Sequence, residues 1–292
     1  MVRKRIYSTR ELAQVWNLSE STIKRWADTG KLHCHRTPGG HRRFQLEHIH
    51  DFQIRHRFEG TGLLTSANWE DPQIEVFVNQ KKWDRIRELM LYLAAENQTT
   101  RIKDLLERLY IRGLSLVDLY DEVLAPVIEN SHQANISGAM GLGQTRLVEN
   151  NLEEALYYFY PSVISRRSMG KTGLCAAPNP LCTHSVNGIS RILNVEGWDS
   201  LNLGSEIPFE AMAEIVEQEP VNLVCLALSR SLLDSKLPKK ALCLRLVCDR
   251  FRIPLLLMGP SFSDLENQEN QFPNEYVHSF RELAEYVQQL SR

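Results

Sequence analysis

Helix-start and helix-stop signals divide the first thirty residues so closely that only two short helices fit between them. Ser8–Glu11 reads Ser-Thr-Arg-Glu, a capping box in which a hydroxyl and a carboxylate bond the free amides of a first helical turn. Asn17-Leu18 provides a turn, Ser19 or Ser21 caps a second helix, and Gly30 ends it. Two helices joined by so short a turn form a helix-turn-helix arrangement. The positions predicted to face inward are apolar: Leu12, Val15, Trp16, Ile23 and Trp26.

The outward face of the second helix predicts contact with nucleic acid. Its side chains can all bond phosphates or base edges, and they are Ser21, Thr22, Lys24 and Arg25. Charged residues on a helix face are more often simply solvated. We set that alternative aside because of the segment that follows.

The segment Lys31–Phe44 has the pattern of a β-hairpin. Pro38-Gly39-Gly40 lies at its centre, and glycine tolerates the positive φ that a tight turn requires. Basic residues flank this turn, so the hairpin is predicted to lie along a DNA backbone as a wing.

The net charge of the chain conceals a marked asymmetry. Residues 1–57 contain twelve Lys and Arg but five Asp and Glu, a net charge of +7. The remaining residues contain 22 basic and 31 acidic side chains, a net charge of −9. A basic segment on an acidic body is expected when that segment alone meets a polyanion.

The first 57 residues resemble the winged helix-turn-helix of the MerR family of transcription regulators. Three spaced motifs carry the resemblance: Arg25-Trp26-Ala27, Gly30-Lys31-Leu32 and Arg36–Phe44. The resemblance covers about residues 5–57 and implies sequence-specific binding of duplex DNA by the second helix and the wing. It also implies that Glu47–Arg57 forms a closing helix. The predicted DNA contacts are Ser21, Thr22, Lys24, Arg25, Arg36, Thr37, His41, Arg42 and Arg43.

Six of the nine histidines fall in this basic head. His33-Cys34-His35 invites interpretation as a metal site, since alternate residues of a strand share a face. No fourth ligand stands at a suitable spacing along the sequence. We therefore predict structural or phosphate-contacting histidines and no metal.

The acidic body begins after a predicted linker over residues 58–75, which contains Gly60, Gly62 and Pro72 and has little periodicity. Residues 76–168 are predicted to form a four-helix bundle, because four amphipathic segments follow one another with short connections. Those segments are Gln80–Glu96, Thr99–Leu109, Leu116–His132 and Gln144–Phe159.

Residues 169–292 alternate between short apolar runs and helical patterns. The predicted strands are Gly173–Ala177, Asp199–Leu203, Val221–Leu228 and Ile253–Met258. The predicted helices are Val186–Val195, Phe209–Glu217, Lys239–Phe251 and Arg281–Leu290. This alternation predicts a doubly wound, Rossmann-like parallel sheet with helices on both faces, and ligands of such sheets bind beyond the carboxyl ends of the strands. The fold class is thus a multidomain combination of α and α/β parts.

The order of head, bundle and sheet resembles the cobalamin-dependent photoreceptor repressors of the MerR family. Glu196-Gly197-Trp198, which leads into Asn202–Pro208, is similar to a run that follows the first helix of their cobalamin module. The resemblance implies a histidine below the cobalt near position 182, where this chain has Cys182, with His184 two places further on. The family has a Gly-Gly pair near the fourth strand of this module, where the present chain has Gly259-Pro260.

These departures predict that the body does not bind cobalamin in the usual way, and we expect no cofactor. If a pocket for cobalamin, haem or a metal ion remains at the strand ends, its candidate residues are Cys182, His184, Ser229 and Gly259. Polar residues also occur in such loops without binding anything, and we favour that interpretation.

Several classes of protein are excluded. No apolar run approaches 18 residues, so no membrane-spanning helix is predicted. The basic start lacks a following apolar segment, so no secretory signal is predicted. The six cysteines are scattered without a C-x-x-C pair, which does not match a secreted disulfide framework. Glu153-Glu154 lacks a neighbouring nucleophile, so no enzyme is predicted. A cytoplasmic location is expected.

The sequence therefore predicts a DNA-binding transcription regulator, with repression as the default direction, that acts as a homo-oligomer. Its body would be a degenerate cobalamin-type module for sensing or oligomerisation. The alternatives are a light- or cobalamin-responsive repressor with unorthodox ligands, a corrinoid carrier for methyl transfer, and a regulator whose body is an adaptor for a protein partner.

Overall fold

The structure is a computed structural model that describes residues 6–56, 58, 76–78, 80–163, 166–228, 241–259 and 275–291. The chain divides into two compact units, Met1–Ile164 and Ser165–Arg292. The first unit holds both the basic head and the helical bundle. Apart from Phe58, the linker predicted over residues 58–75 lies outside the described residues.

The head begins with strand β1 (Ile6–Ser8) and continues with helices α1 (Thr9–Trp16) and α2 (Glu20–Asp28). The predicted capping box is present, since the Glu11 amide donates to Ser8 Oγ and the Ser8 amide donates to the Glu11 carboxylate. Asn17 adopts the left-handed conformation that lets the chain turn sharply into α2.

A three-stranded antiparallel sheet and a third helix complete the head. Strands β2 (His35–Arg36) and β3 (Arg42–Gln45) form the predicted hairpin, and α3 (Leu46–His56) follows at once. β1 pairs with β3 on the other side, so the strand order is β1-β3-β2. β1 was not predicted, because three residues give too short a pattern to reveal a strand.

An aromatic cluster forms the core of the head. Trp16 is 1% exposed and its ring stacks on Phe52 with a centroid distance of 5.3 Å. Trp26 lies 4.9 Å from Phe52 and 6.1 Å from Trp16, and Phe58 packs edge-on against Trp16 at 5.1 Å. These rings hold α1, α2 and α3 together, and Trp16 and Trp26 face inward as the apolar spacing predicted.

The bundle contains the four predicted helical segments. They are α4 (Trp83–Ala95), α5 (Thr99–Ile111), the run that comprises α6 (Leu116–Leu119), a π-helical turn (Tyr120–Leu124) and α7 (Ala125–Ile136), and finally α8 (Leu142–Phe159). The π-helical turn frees the Glu122 carbonyl, which accepts a hydrogen bond of 2.7 Å from Arg87 Nε.

The closing helix of the head packs on the bundle within this first unit. Gln53 Nε2 on α3 donates to the Ile111 carbonyl at 2.9 Å, and the His50 ring stacks on Tyr110 with 3.8 Å between centroids. His50 is 3% exposed, and its burial lowers its pKa to about 4.

We expect this buried imidazole to make the first unit sensitive to acid. Because the pKa of His50 is about 6.5 when unfolded and about 4 when folded, the unfolded state takes up the proton first as the pH falls. The stability is complete above pH ~6.5 and decreases towards pH ~4, by about 2 kcal/mol at pH 5. Urea unfolding at pH 7 and pH 5 measures this loss. His50→Phe retains a ring against Tyr110. Between pH 7 and pH 5, its free energy of unfolding should fall by about 2 kcal/mol less than that of the wild type. Equal losses would contradict the assignment.

The second unit is a doubly wound α/β domain with a five-stranded parallel sheet. Its strands are β4 (Thr172–Ala176), β5 (Asp199–Gly204), β6 (Leu223–Ala227), β7 (Leu255–Met258) and β8 (Glu275–Val277). They lie in the order β5-β4-β6-β7-β8. The parallel sheet confirms the prediction, and β8 is an additional strand that the sequence pattern did not reveal.

Helices cover the sheet from both sides. They are α9 (Thr183–Val195), α10 (Phe209–Gln218), α11 (Leu242–Phe251) and α12 (Phe280–Leu290). α9 packs with α12, and α10 packs with α11. Leu174, Leu226 and Leu257 contribute to the core beneath α10 and α11, since alternate residues of a strand face opposite sides.

Candidate nucleic-acid interface and the edge of the sheet

Helix α2 presents the predicted recognition face. Ser19 caps it by accepting from the Thr22 amide at 3.3 Å, and Ser19 Oγ also lies 2.8 Å from Ser21 Oγ and 3.0 Å from Thr22 Oγ1. Of the two alternatives for the cap, Ser19 is therefore the residue used. Ser21, Lys24 and Arg25 are exposed and Thr22 is half-buried, so this face is open to a ligand.

The two cations of this face differ in their surroundings. Lys24 Nζ lies 3.3 Å from the Glu20 carboxylate one turn earlier, and both side chains are about half exposed. Arg25 is exposed and forms no ion pair with any residue that the structure describes. Arg25 therefore offers the charge on α2 that costs least to redirect towards a base or a phosphate.

The tip of the wing is a compact, hydrogen-bonded turn. The Thr37 amide donates to the His41 carbonyl at 2.9 Å and the Gly40 amide donates to the Thr37 carbonyl at 2.8 Å. Thr37 Oγ1 accepts from the His41 amide at 3.2 Å. Gly40 has a φ of +77°, which explains why a glycine stands there. Thr37 thus shapes the turn, while His41 is exposed beside it.

Asp28 connects the wing to the recognition helix. Its Oδ1 accepts hydrogen bonds from Arg36 at 2.7 Å and from Arg42 at 2.6 Å, and these two residues are paired across β2 and β3. The hydrogen bond from Arg42, together with the nearby charges of both guanidinium groups, holds the pKa of Asp28 below its usual value. The carboxylate fixes the base of the wing at the end of α2.

This geometry divides the predicted wing cations into two kinds. The Arg36 side chain is 55% exposed and can still reach a phosphate, whereas the Arg42 side chain is 17% exposed and held by Asp28. Arg43 is half-buried, and its guanidinium donates to the Arg42 carbonyl. Asp28 was missed by sequence reasoning, although an isolated acidic residue at the end of a basic recognition helix is a signal that could have found it.

Removing this carboxylate should alter how the head discriminates between DNA sequences. Asp28→Asn adds one net positive charge and releases the wing, so binding to random duplex DNA should tighten with a steeper dependence on salt. The ratio of specific to random affinity should fall roughly tenfold, which is the effect of one lost base contact. Fluorescence anisotropy with both duplexes across a salt series measures this ratio. Asp84→Asn, the same charge change in the bundle, should leave it unaltered; an unaltered ratio in Asp28→Asn would contradict a wing-positioning role.

The carboxyl edge of the parallel sheet is the second candidate site. From β4 the chain first adds β5 on one side of the sheet and then crosses to add β6 on the other, so the strand order reverses between β4 and β6. Ligands of doubly wound sheets bind at such a switch point. On the other side of β4, the segments that follow β4 and β5 are joined, since Thr183 Oγ1 lies 2.8 Å from Ser205 Oγ and the Ala177 amide donates to the Gly204 carbonyl. Ser229, predicted for this site, lies outside the described residues.

The remaining predicted pocket residues do not form an open ligand set. Cys182 is 3% exposed and His184 is 6% exposed, so the protein itself covers both side chains. Gly259 lies at the end of β7, where its amide donates to the Val277 carbonyl. A haem is held through its iron by an imidazole or a thiolate that reaches the metal, and a corrin held through cobalt has the same need. Cys182 and His184 as placed here do not fit that requirement, because the protein covers both side chains.

Two further thiols are buried within the sheet. Cys175 and Cys225 are partners in register on β4 and β6, and burial raises the pKa of both thiols. They remain protonated and behave as small core residues, as expected for Cys225 from its apolar surroundings.

Comparisons with known proteins agree with the two parts of this description. Residues 6–57 match the family described as "Helix-turn-helix domain". The head is a helix-turn-helix domain. A search of curated protein sequences finds no match. Among the described helices, none is both long enough and apolar enough to cross a membrane.

A search of solved structures finds corrinoid and cobalamin proteins among its matches. The monomethylamine corrinoid protein of Methanosarcina barkeri is 12% identical, with a TM-score of 0.53 over 71% of this chain and 99% of that chain. The methanol:cobalamin methyltransferase complex MtaBC of the same organism is 15% identical, with a TM-score of 0.35 over 78% and 86% of the two chains. A cobalamin-binding protein from Desulfitobacterium hafniense DCB-2 is 12% identical, with a TM-score of 0.36 over 74% and 95%. The first of these likenesses shows a shared fold.

Proposed function

We propose that this protein is a sequence-specific, DNA-binding transcription regulator of the MerR type, located in the cytoplasm. The observation that carries the proposal is the exposed basic face of α2 beside a wing whose base is fixed to the same helix by Asp28. A helix of this size fits the major groove, and an adjacent hairpin fits the phosphate backbone.

The residues of the head divide the work of binding. Arg25 and Lys24 reach base edges or nearby phosphates from α2, while Ser21 and Thr22 add hydroxyl contacts near its first turn. Arg36 and His41 follow the backbone from the wing. Arg42 acts by positioning the wing, and Thr37 by shaping its tip.

A single head contacts little DNA, so we propose that two or more copies of the chain bind repeated half-sites as a homo-oligomer. A promoter covered in this way is closed to RNA polymerase, and repression is the proposed direction of regulation. The helical bundle and the α/β unit would then set the oligomeric state or receive a signal.

DNA binding by the head is tested by fluorescence anisotropy with a random-sequence duplex. The logarithm of the affinity should fall linearly with the logarithm of the salt concentration, with a slope close to the number of phosphates contacted. Lys24→Ala should reduce that slope by about 1. Arg85→Ala, which removes an exposed bundle arginine paired with Glu88, should not change it. Identical slopes for all three proteins would remove Lys24 from the interface, and an affinity of the wild type that does not depend on salt would overturn DNA binding by the basic head.

For the α/β unit, we propose a module that does not hold cobalamin through a metal ligand on the β4–α9 loop. The burial of Cys182 and His184 supports this, against the likeness in fold to a corrinoid protein. The alternative is a light- or cobalamin-responsive repressor with unorthodox ligands. A third interpretation is that the α/β unit is an adaptor for a protein partner. Leu181, which is 39% exposed on that loop, would then contribute to the surface that binds the partner.

An absorption spectrum distinguishes these roles of the body. The purified protein is incubated in the dark with adenosylcobalamin, methylcobalamin or haem, and unbound chromophore is removed. We expect no retained colour with DNA binding intact. A retained corrinoid whose illumination changes the DNA affinity would overturn our proposal for the body and establish the light-responsive alternative, while leaving the head's role unchanged.

A further inference from the structure

Three histidines of the head meet at the base of the wing. His33 precedes β2, His35 begins it, and His48 stands in the first turn of α3. One ring nitrogen from each of the three lies within 4.8 Å of the others. The His33 and His48 rings approach most closely, at 4.3 Å between centroids.

The sequence alone offered only two of these ligands. His33 and His35 share a face because they alternate along an extended chain, and nothing in the sequence marks His48 as their partner. The hairpin brings the chain back so that α3 starts beside this face. The third imidazole is thus supplied by tertiary structure, thirteen residues after His35.

The cluster has the chemistry of a transition-metal site. Three imidazoles are a donor set that zinc uses in proteins, with a fourth position left for water or another ligand. Nitrogen atoms at these separations need only small side-chain rotations to converge on one ion. The Glu47 carboxylate lies 3.9 Å from His48 Nε2, and a neighbouring negative charge favours a cation at this position.

We propose that His33, His35 and His48 bind one divalent transition-metal ion of the zinc type. The ion links the strand that carries Arg36 to the first turn of α3. It would therefore fix the base of the wing from the side of α3, while Asp28 fixes it from α2. His33 and His35 are exposed and His48 is half-buried, so the ion can exchange with solvent.

Titration of the full-length, metal-free protein with Co²⁺ tests this proposal. Cobalt in a tetrahedral nitrogen site absorbs visible light strongly, and Zn²⁺ should displace it. We expect one Co²⁺ per chain in the wild type, and a loss of affinity of at least tenfold in each of His33→Ala, His35→Ala and His48→Ala. Circular dichroism of the same samples shows whether each variant remains folded.

Two matched variants make the result decisive. His41→Ala removes an exposed histidine of the same wing that is outside the cluster, and it should leave metal affinity and stoichiometry unaltered. Cys34→Ser should also leave them unaltered, because Cys34 is not part of the cluster. The proposal is overturned if the wild type takes up no Co²⁺, if folded His48→Ala binds as tightly as the wild type, or if Cys34→Ser abolishes binding.

Discussion

Replacing Arg25 by alanine is expected to weaken binding to a specific DNA site roughly 10- to 100-fold, the range for loss of a good arginine contact to a base. Arg25 projects from the exposed face of α2 and has no ion pair with any described residue that must be broken before it contacts DNA. Because the contact reads sequence, affinity for random duplex should fall much less. Anisotropy titrations of both duplexes at one salt concentration measure the two effects.

The matched control for Arg25 is Arg250→Ala. Arg250 is also an exposed arginine on a helix, with its side chain 71% exposed, but it lies in the α/β unit and contacts Glu217. The Arg250→Ala variant should bind both duplexes as tightly as the wild type does. Equal weakening on specific and random DNA by Arg25→Ala would show a phosphate contact, and no weakening on either would remove α2 from the interface.

Replacing Trp16 by alanine is expected to destabilise the head by about 3–5 kcal/mol, the usual cost of emptying a large aromatic site in a core. The Trp16 ring is 1% exposed and contacts the rings of Trp26 on α2, Phe52 on α3 and Phe58 just after α3. Without it, α2 loses the surface that orients it. Urea unfolding followed by circular dichroism measures the loss of stability, and DNA affinity should be lost with it.

Tyr92→Ala provides the comparison for Trp16. Tyr92 is an aromatic residue of the same unit that is 58% exposed on α4, so its removal should change the free energy of unfolding by less than about 0.5 kcal/mol. A loss below about 1 kcal/mol in Trp16→Ala would contradict the view that this cluster holds the head together.

The helices of the head could be predicted from sequence because their signals are local. The Ser8–Glu11 capping box, the left-handed Asn17 and the serine before α2 each act within one helical turn. The parallel sheet was predictable for a related reason, since the buried strands β6 and β7 are continuous apolar runs.

The features that could not be predicted depend on contacts between distant parts of the chain. β1 and β8 have three residues each, and their pairing with neighbouring strands makes them strands. Asp28 contacts Arg42 only because the β2–β3 hairpin folds back against the end of α2. His48 lies beside His33 only because the same hairpin leads the chain back to the start of α3.

The candidate ligand site of the sheet shows the same limit. The sequence pattern placed Cys182 and His184 on the loop after β4; the structure places Cys182 in a short 3-10 turn and His184 in the first turn of α9, which begins earlier than predicted. Whether a side chain projects into solvent or into the core is decided by the packing of α9 on the sheet. Both side chains are buried in the structure, which residue type and spacing alone could not predict.

Selection of binding sites from a library of random duplexes with the full-length protein tests the central claim most directly. We predict that the selected pool converges on one motif, with half-sites repeated about one helical turn apart, and that the protein binds this motif at least about 10³-fold more tightly than random DNA at physiological salt. A selected pool that binds no more tightly than the starting library would contradict a sequence-specific regulator.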